Sequence, residues 1–120
     1  LADQDSGVRQ LGTKLYLESK AKYLIMKLGE KGIISFREEA INPRDFFPID
    51  SFVKNLEDGL GAGDALLAAS SLALIVSKNI IISSILGNCA AAVACEKKGN
   101  DPISQKELLS KIDSIEKEIK

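Results

Sequence analysis

The sequence predicts a layered α/β fold, because short apolar runs typical of strands come first and longer helical segments follow. Residues 23–26 and 33–36 are apolar runs on either side of Gly29-Glu-Lys-Gly32, which is turn chemistry, so we expect a hairpin. From Ala65 onward, longer segments have the apolar content or the spacing of helices. A chain of 120 residues has the length of one domain. We therefore expect a sheet flanked by helices.

The N-terminal segment is predicted to form an amphipathic helix. Val8, Leu11 and Leu15 recur at helical spacing, which places the helix over residues 8–20. Residues 37–57 hold two of the three prolines and mixed charge. We expect a connection there, with one or two short strands.

The C-terminal half is predicted to be helical. Residues 65–76 are apolar nearly all round, which predicts a helix buried on every side. Residues 80–98 form a second, mostly apolar helix that ends at Gly99. Ser104-Gln-Lys-Glu107 is a capping box and opens a last helix, amphipathic in its spacing. The apolar stripe of this last helix consists of Leu108, Ile112, Ile115 and Ile119.

The composition excludes several classes of protein. Lys and Arg total 16 and Asp and Glu total 17, a net charge of −1, whereas proteins that neutralise many phosphates of a nucleic acid are basic. The absence of histidine excludes Ser-His-Asp hydrolysis and every histidine-ligated metal site. Proton transfer must therefore use Asp, Glu, Lys, Tyr or Cys. No apolar run reaches the ~18 residues of a membrane span, so we expect neither nucleic acid nor a membrane as a partner.

The two cysteines, Cys89 and Cys95, fall on different faces of one predicted helix, so an intrachain disulfide is not expected. Free thiols are typical of a reducing compartment, which favours the cytoplasm. The chain begins at Leu1 and its first residues do not resemble a signal peptide. We interpret it as part of a longer polypeptide.

The chemically informative segment lies just before the helix of residues 65–76. In Gly61-Ala62-Gly63 the small residues let the backbone approach a ligand closely, and the amides of the following helical turn favour an anion. Asp64 lies at the same place, where a carboxylate would repel phosphate. It is suited instead to take a proton from an alcohol that attacks the phosphate. The alternative is purely structural, with Asp64 stabilising the first turn of a helix.

These motifs resemble those of the ribokinase-like (PfkB) family of carbohydrate kinases. The segment from Asp58 to Asp64, followed by an alanine-rich helix, is similar to the family signature. Residues 27–32, 88–94 and 99–107 are similar to further motifs of the family and occur in the same order. The closing stretch is most like the kinase domain of bifunctional ADP-heptose synthases. The resemblance implies a Rossmann-like ribokinase fold, of which residues 1–120 are the C-terminal, ATP-binding part of a single kinase domain.

The resemblance also implies roles for the matching residues, with ATP and Mg²⁺ as cofactors and, as in many members, a monovalent cation such as K⁺. Asp64 is the implied catalytic base. The amides of Gly61, Ala62 and Gly63 are the implied anion hole. The implied nucleotide-binding residues are Lys27, Gly29, Gly32 and Asn88. The implied monovalent-cation site uses Asp58 with carbonyls near Ala94 and Gly99.

The implied activity is transfer of the γ-phosphate of ATP to a hydroxyl of a sugar or sugar phosphate. The sugar-recognising residues of the family belong to its N-terminal half, so we expect this chain alone to be inactive and to associate with that half or with further copies of itself. Lys27 and Gly59 stand where the family usually has threonine. These departures keep open an alternative, a non-catalytic nucleotide-binding or regulatory domain of the same fold. The intact Asp64 argues against it.

Overall fold

The chain folds as a small sheet with a helix against each face, in a computed structural model that describes residues 2–37, 46–54, 56, 59–97 and 102–119. This is the layered α/β arrangement that the sequence predicts. No helix in the described ranges combines the length and the apolar character that crossing a membrane requires. The elements are α1 (Ala2–Ser19), β1 (Tyr23–Lys27), β2 (Ile33–Arg37), β3 (Phe46–Ile49), α2 (Ala62–Ser77), α3 (Ile80–Cys95) and α4 (Gln105–Ile119).

Strands β1 and β2 form the predicted hairpin. They pair antiparallel along their whole length, with Lys27 opposite Ile33 at the turn. A single turn of 3₁₀-helix joins them, and the amide of Leu28 closes the turn by donating to the carbonyl of Gly32 at 2.8 Å. Gly29 and Gly32 have φ angles of +60° and +99°, which residues with a side chain rarely adopt. The glycines are therefore what allows so tight a connection.

Strand β3 completes the sheet in the order β1-β2-β3, paired antiparallel to β2. It lies within the 37–57 connection, where one or two short strands were expected. Residues 38–45, 55 and 57 of that connection are outside the described part of the chain.

One face of the sheet packs against α1. Tyr16 of the helix and Phe36 of β2 stack with their ring centroids 6.2 Å apart, and Ile34 completes the buried cluster. Gly12 faces the sheet, and a Cβ atom there would overlap the ring of Phe36. The predicted helix is confirmed, but its predicted apolar face is wrong at two positions. Leu11 and Leu15 are exposed, because the close approach at Gly12 turns the Gly12–Tyr16 side inward.

The other face of the sheet packs against α3. The hydroxyls of Ser35 and Ser84 lie 2.6 Å apart, and both residues are fully buried. Helix α2 lies beside α3, and Gly87 permits the contact because a Cβ atom there would come within 2.9 Å of the Cβ of Ser70. The hydroxyl of Ser83 also donates to the Ser70 carbonyl at 2.6 Å.

Helix α2 differs from the expectation that it is buried on every side. Leu66 and Ser70 are buried against α3, but Leu67, Leu72 and Ile75 are 65%, 65% and 73% exposed. Apolar residues on every side of a helix indicate that the helix is covered in the complete fold, whereas among the described residues the close packing of α2 is with α3. The apolar content therefore predicted the helix correctly, but the prediction that this helix is buried on every side is wrong for this chain.

The capping box of α4 forms as predicted. The amide of Glu107 donates to the Ser104 hydroxyl at 3.1 Å, and the amide of Ser104 donates to the Glu107 carboxylate at 3.0 Å. Within the described residues the predicted stripe is half-buried at Leu108, Ile112 and Ile115. This pattern confirms an amphipathic helix packed on the body of the protein.

Both cysteines are free thiols, as predicted. Cys89 is buried in α3, and burial raises the pKa of its thiol from 9.0 to about 11. The Cys89 thiol is therefore protonated at neutral pH, as expected for a small core residue.

Candidate active site

A cavity of about 710 Å³ lies between the β1–β2 turn, the segment after β3, the start of α2 and the C-terminal half of α3. This volume is within the range of sites that bind small molecules. The structure thus brings together all four residues predicted to contact the nucleotide, and two of the residues predicted to form the anion hole. These six lining residues are Lys27, Gly29, Gly32, Ala62, Gly63 and Asn88.

The glycine motif forms the N-terminal end of α2. Gly61 is the N-cap residue with φ of +83°, in the left-handed region. The amide of Ala62 donates to the carbonyl of Gly59 at 3.3 Å, whereas the amides of Gly63 and Asp64 donate to no acceptor among the described residues. The amides of Gly63 and Asp64 thus remain available to a ligand, and they coincide with the positive end of the helix dipole.

The side chain of Lys27 extends from the end of β1 to the start of α2. A Cβ atom built on Gly63 would lie 2.6 Å from Lys27 Nζ, so the ammonium rests over the glycine. No ion pair joins Lys27 to another described residue. An ammonium and the positive end of a helix repel each other unless an anion lies between them. This arrangement therefore favours an anionic ligand such as a phosphate.

Asp64 is exposed in the first turn of α2, beside the cavity rather than in its wall. Its carboxylate forms no hydrogen bond or ion pair with the described residues, and no side chain caps this helix. Residues three to four positions apart share a helix face, so Asp64 lies on the same side of α2 as Ser71 and Ile75. The carboxylate is thus available to a ligand that approaches from this exposed side.

Asn88 reaches the cavity from α3 and is nearly buried. Its Nδ2 donates to the backbone carbonyl of Asp50 at 2.8 Å, which fixes the orientation of the amide. Its Oδ1 has no partner among the described residues. The side chain therefore combines a structural role, tying α3 to the end of β3, with a carbonyl oxygen that can accept a hydrogen bond from a ligand.

The predicted cation-site residues are not brought together within the described part of the chain. Ala94 is buried in the last turn of α3, where the helix dipole favours a cation, and its carbonyl accepts the amide of Lys97 at 3.3 Å. Asp58 and Gly99 lie outside the described residues. Across the described ranges, no three or more Asp, Glu or Cys side chains form a group that could hold a metal ion.

The cavity has lining residues that the sequence analysis missed. One set comes from the connection after β3, which carries no motif that would reveal it. The other set lies on α3 at three, four and seven residues from Asn88, a helical spacing that could have identified it. The missed residues include Ser51, Val53, Lys54 and Leu56 of the connection and Ala91, Ala92 and Cys95 of α3.

The fold and this cavity place the chain among the α/β proteins of the ribokinase fold. Phosphofructokinase-2 from Escherichia coli, in complex with potassium, superposes with a TM-score of 0.77 over 91% of this chain and 34% of its own, at 19% identity. Ribokinase from Thermotoga maritima superposes with a TM-score of 0.71 over 83% of this chain and 33% of its own, at 26% identity.

The sequence model of the pfkB family carbohydrate kinases matches residues 3–107, so the chain belongs to this family. The bifunctional protein HldE of Nitratiruptor sp. is 32% identical over 82% of this chain and 20% of its own length. HldE of Koribacter versatilis is 37% identical over 73% of this chain and 17% of its own length. The family resemblance seen in the motifs is thereby confirmed, and the chain spans about a fifth of these relatives.

Proposed function

We propose that this chain is the nucleotide-binding and catalytic part of a kinase that transfers the γ-phosphate of ATP to a hydroxyl of a sugar or sugar phosphate. Membership of a carbohydrate kinase family supports the general activity. The observation that carries the proposal is the convergence of the Lys27 ammonium with the start of α2, beside the Asp64 carboxylate, which has no partner among the described residues. A domain that only binds a nucleotide requires positive charge at the start of α2, but it does not require the Asp64 carboxylate.

The nucleotide occupies the cavity with its phosphates toward the start of α2. Gly29 has open space around the position of a Cβ atom, so the backbone of the β1–β2 turn can approach the phosphates. Lys27 and the amide of Gly63 provide the positive charge. Asn88 Oδ1 accepts a hydrogen bond from the adenine amino group or a ribose hydroxyl at the other end of the cavity.

In the chemical step, Asp64 accepts the proton of the acceptor hydroxyl. The hydroxyl oxygen forms a bond to the γ-phosphorus while the bond from that phosphorus to the β–γ bridging oxygen breaks, and ADP leaves with the electron pair. The amides of the first turn of α2 stabilise the charge on the transferred phosphoryl group without reorganising.

Mg²⁺ accompanies the nucleotide in this proposal. The ion would be held mainly by the nucleotide phosphates and water, as is usual for Mg²⁺ in phosphoryl-transfer sites, and not by Asp64. When bound, the ion neutralises phosphate charge. A monovalent cation near the Ala94 carbonyl fits the negative end of α3, and the similar phosphofructokinase-2 was crystallised with potassium.

The acceptor is delivered by the part of the kinase domain that covers the exposed side of α2. Asp64 shares this side with the exposed Ile75, so the surface that buries the apolar residues also meets the carboxylate. We expect the remainder of the protein to provide this cover and to select the sugar. We also expect the enzyme to act in the cytoplasm.

The test is the Asp64→Asn variant of the full-length protein, assayed for ATP-dependent phosphorylation of a panel of sugars and sugar phosphates. Loss of a positioned base lowers the rate by ~10²–10⁴-fold. ATP affinity, measured by calorimetry, should remain within a few-fold of wild type because Asp64 does not line the cavity.

Asp113→Asn is the matched control, since Asp113 is an exposed aspartate of α4. It should leave both quantities unchanged. Turnover by Asp64→Asn at the wild-type rate would contradict the role of Asp64 as the catalytic base. ATP binding by a wild-type protein that phosphorylates no member of the panel would favour the non-catalytic nucleotide-binding alternative.

A further inference from the structure

The Glu96 carboxylate joins three separate parts of the molecule. Glu96 is the C-cap residue of α3. Its Oε2 accepts the backbone amide of Lys54 at 2.7 Å and pairs with Lys111 Nζ of α4 at 3.0 Å. One oxygen atom thus ties the connection after β3 to both α3 and α4.

The segment held in this way is a wall of the proposed nucleotide cavity. Ser51, Val53 and Lys54 line the cavity, and the segment is attached to α3 at two points. Asn88 holds its beginning through the Asp50 carbonyl at 2.8 Å, and Glu96 holds its end through the Lys54 amide. If the hydrogen bond between the Lys54 amide and Glu96 were lost, the wall between Ser51 and Lys54 could move away from a bound nucleotide.

Lys111 occupies a position where an apolar side chain would pack. It lies three residues after Leu108 and four before Ile115, on the half-buried stripe of α4, and its side chain is only 8% exposed. A buried ammonium is costly without a partner, and an apolar residue in its place is often neutral or stabilising. We therefore attribute the charge of Lys111 to its ion pair with the Glu96 carboxylate. This ion pair holds the carboxylate in the orientation that accepts the hydrogen bond of the Lys54 amide.

We propose that Glu96 and Lys111 are positioning residues for the nucleotide site, which fix the Ser51–Lys54 wall and make nucleotide affinity depend on the docking of α4. This inference rests on the proposed nucleotide function. Neither Glu96 nor Lys111 lies in the motifs that carry the family resemblance, and the inference follows from the shared contacts of one carboxylate oxygen.

Two double variants of the full-length protein separate positioning from stability. Glu96→Gln with Lys111→Met keeps an acceptor for the Lys54 amide, and Glu96→Leu with Lys111→Met removes it. Both variants remove the Glu96–Lys111 ion pair as a whole, so neither leaves one member of that pair without the other. Glu118→Gln is the control, because it removes the exposed ion pair of Lys54 Nζ with Glu118, 2.7 Å apart, and leaves the Lys54 amide in place.

The readouts are the KM for ATP, kcat, the KM for the acceptor and the exchange of the Lys54 amide with deuterium. We expect the leucine variant to raise the KM for ATP about tenfold, as loss of one hydrogen bond to a well-placed partner can do, with kcat within about twofold. Its Lys54 amide should exchange faster while amides of β2 stay protected. The glutamine variant keeps the acceptor but loses the ion pair with Lys111 that orients it, so its KM for ATP should lie between those of wild type and the leucine variant. Glu118→Gln should match wild type within about threefold.

Equal KM values for ATP in the two double variants, with faster exchange at Lys54 in the leucine variant only, would overturn the positioning role. An unchanged exchange rate of the Lys54 amide in the leucine variant would show that Glu96 does not hold this segment. Failure of the wild-type protein to bind ATP would instead refute the proposed function, and the exchange measurement would still decide whether Glu96 anchors the wall.

Discussion

At the scale of single residues, Lys27 and Gly63 occupy one small space at the start of α2. Lysine stands where the family usually has threonine, and its ammonium rests where a Cβ atom on Gly63 would be. Any side chain at position 63 therefore competes with the lysine for the same space. The glycine motif and the lysine act as one unit.

Gly63→Ala should weaken ATP binding without destabilising the fold. Alanine favours a helix over glycine by up to ~1 kcal/mol, so the melting temperature should not fall. Displacement of the ammonium should raise the Kd for ATP by about tenfold, because hydrogen bonds to charged groups contribute ~1.5–3 kcal/mol.

Lys27→Met should reproduce this loss, and the double variant should be no weaker than Lys27→Met alone. Calorimetry on the three variants decides the matter. Additive losses would mean that the two residues act independently, with Lys27 placed elsewhere when ATP is bound.

At the scale of elements, the contact of β2 with α3 depends on a directed pair of hydroxyls. Ser84 donates to the Ile80 carbonyl at 2.7 Å, so its proton is in use and Ser35 must be the donor in the 2.6 Å contact between the two. Removal of Ser84 leaves a fully buried donor without a partner. Removal of Ser35 leaves Ser84 with its own bond intact.

Ser84→Ala should therefore cost ~1–3 kcal/mol of unfolding free energy and Ser35→Ala distinctly less. The double variant should recover part of the loss of Ser84→Ala, since the orphaned donor is gone. Urea denaturation of the three variants measures the order. A greater loss for Ser35→Ala than for Ser84→Ala would reverse the assigned direction of the hydrogen bond.

The capping box of α4 makes a prediction about acid stability. The backbone amide of Ser104 and the ammonium of Lys97 lower the pKa of Glu107 below its ordinary value of 4.5. Because the pKa of Glu107 is lower in the folded state, its stabilisation is present at neutral pH and is lost as the pH falls through the folded value. Acidification below 4.5 should thus weaken the attachment of α4.

Glu107→Gln should retain the capping hydrogen bonds but lose this pH dependence. The variant should be less stable than wild type at neutral pH, and the difference should shrink as the pH falls through the lowered pKa of Glu107 in the folded state. Denaturant titrations at neutral pH and at a series of acidic pH values test this. A difference that stays constant would show that Glu107 acts through packing alone.

At the scale of the whole molecule, the exposed apolar side chains of α2 and α3 determine the behaviour of residues 1–120 alone. The exposed set comprises Leu67, Leu72, Ile75, Val76, Ile81, Ile82 and Ile85. An apolar surface of this extent favours association, and the edge of β1 has no neighbouring strand among the described residues. The chain also spans only 33–34% of the similar ribokinase-fold structures.

Residues 1–120 alone should therefore phosphorylate no sugar at high ATP and should increase in average mass with concentration in sedimentation experiments. The lack of turnover follows from the missing cover over Asp64 and the association from the apolar side of α2. A monodisperse monomer of 120 residues that phosphorylates a sugar would contradict the placement of the acceptor site outside this chain.

The sequence alone determined the features that depend on local chemistry. The β1–β2 hairpin, the capping box of α4 and the glycine start of α2 follow from turn and cap preferences, which act over a few residues. Motif spacing also predicted that Lys27, Gly29, Gly32 and Asn88 belong to one site, and the four residues line the same cavity. Their contact with a nucleotide stays a prediction.

The tertiary structure decided what depends on neighbours distant in the chain. The inward side of α1 is set by the fit of Gly12 against Phe36, and the exposure of α2 by the lack of a close partner on its outer side in the described part of the chain. The wall formed by Ser51 and Lys54 has no motif, and it exists because Glu96 and Asn88 of α3 hold a segment about 40 positions earlier in the chain. Local patterns cannot encode such contacts, because packing and long-range hydrogen bonds are properties of pairs of elements rather than of any one segment.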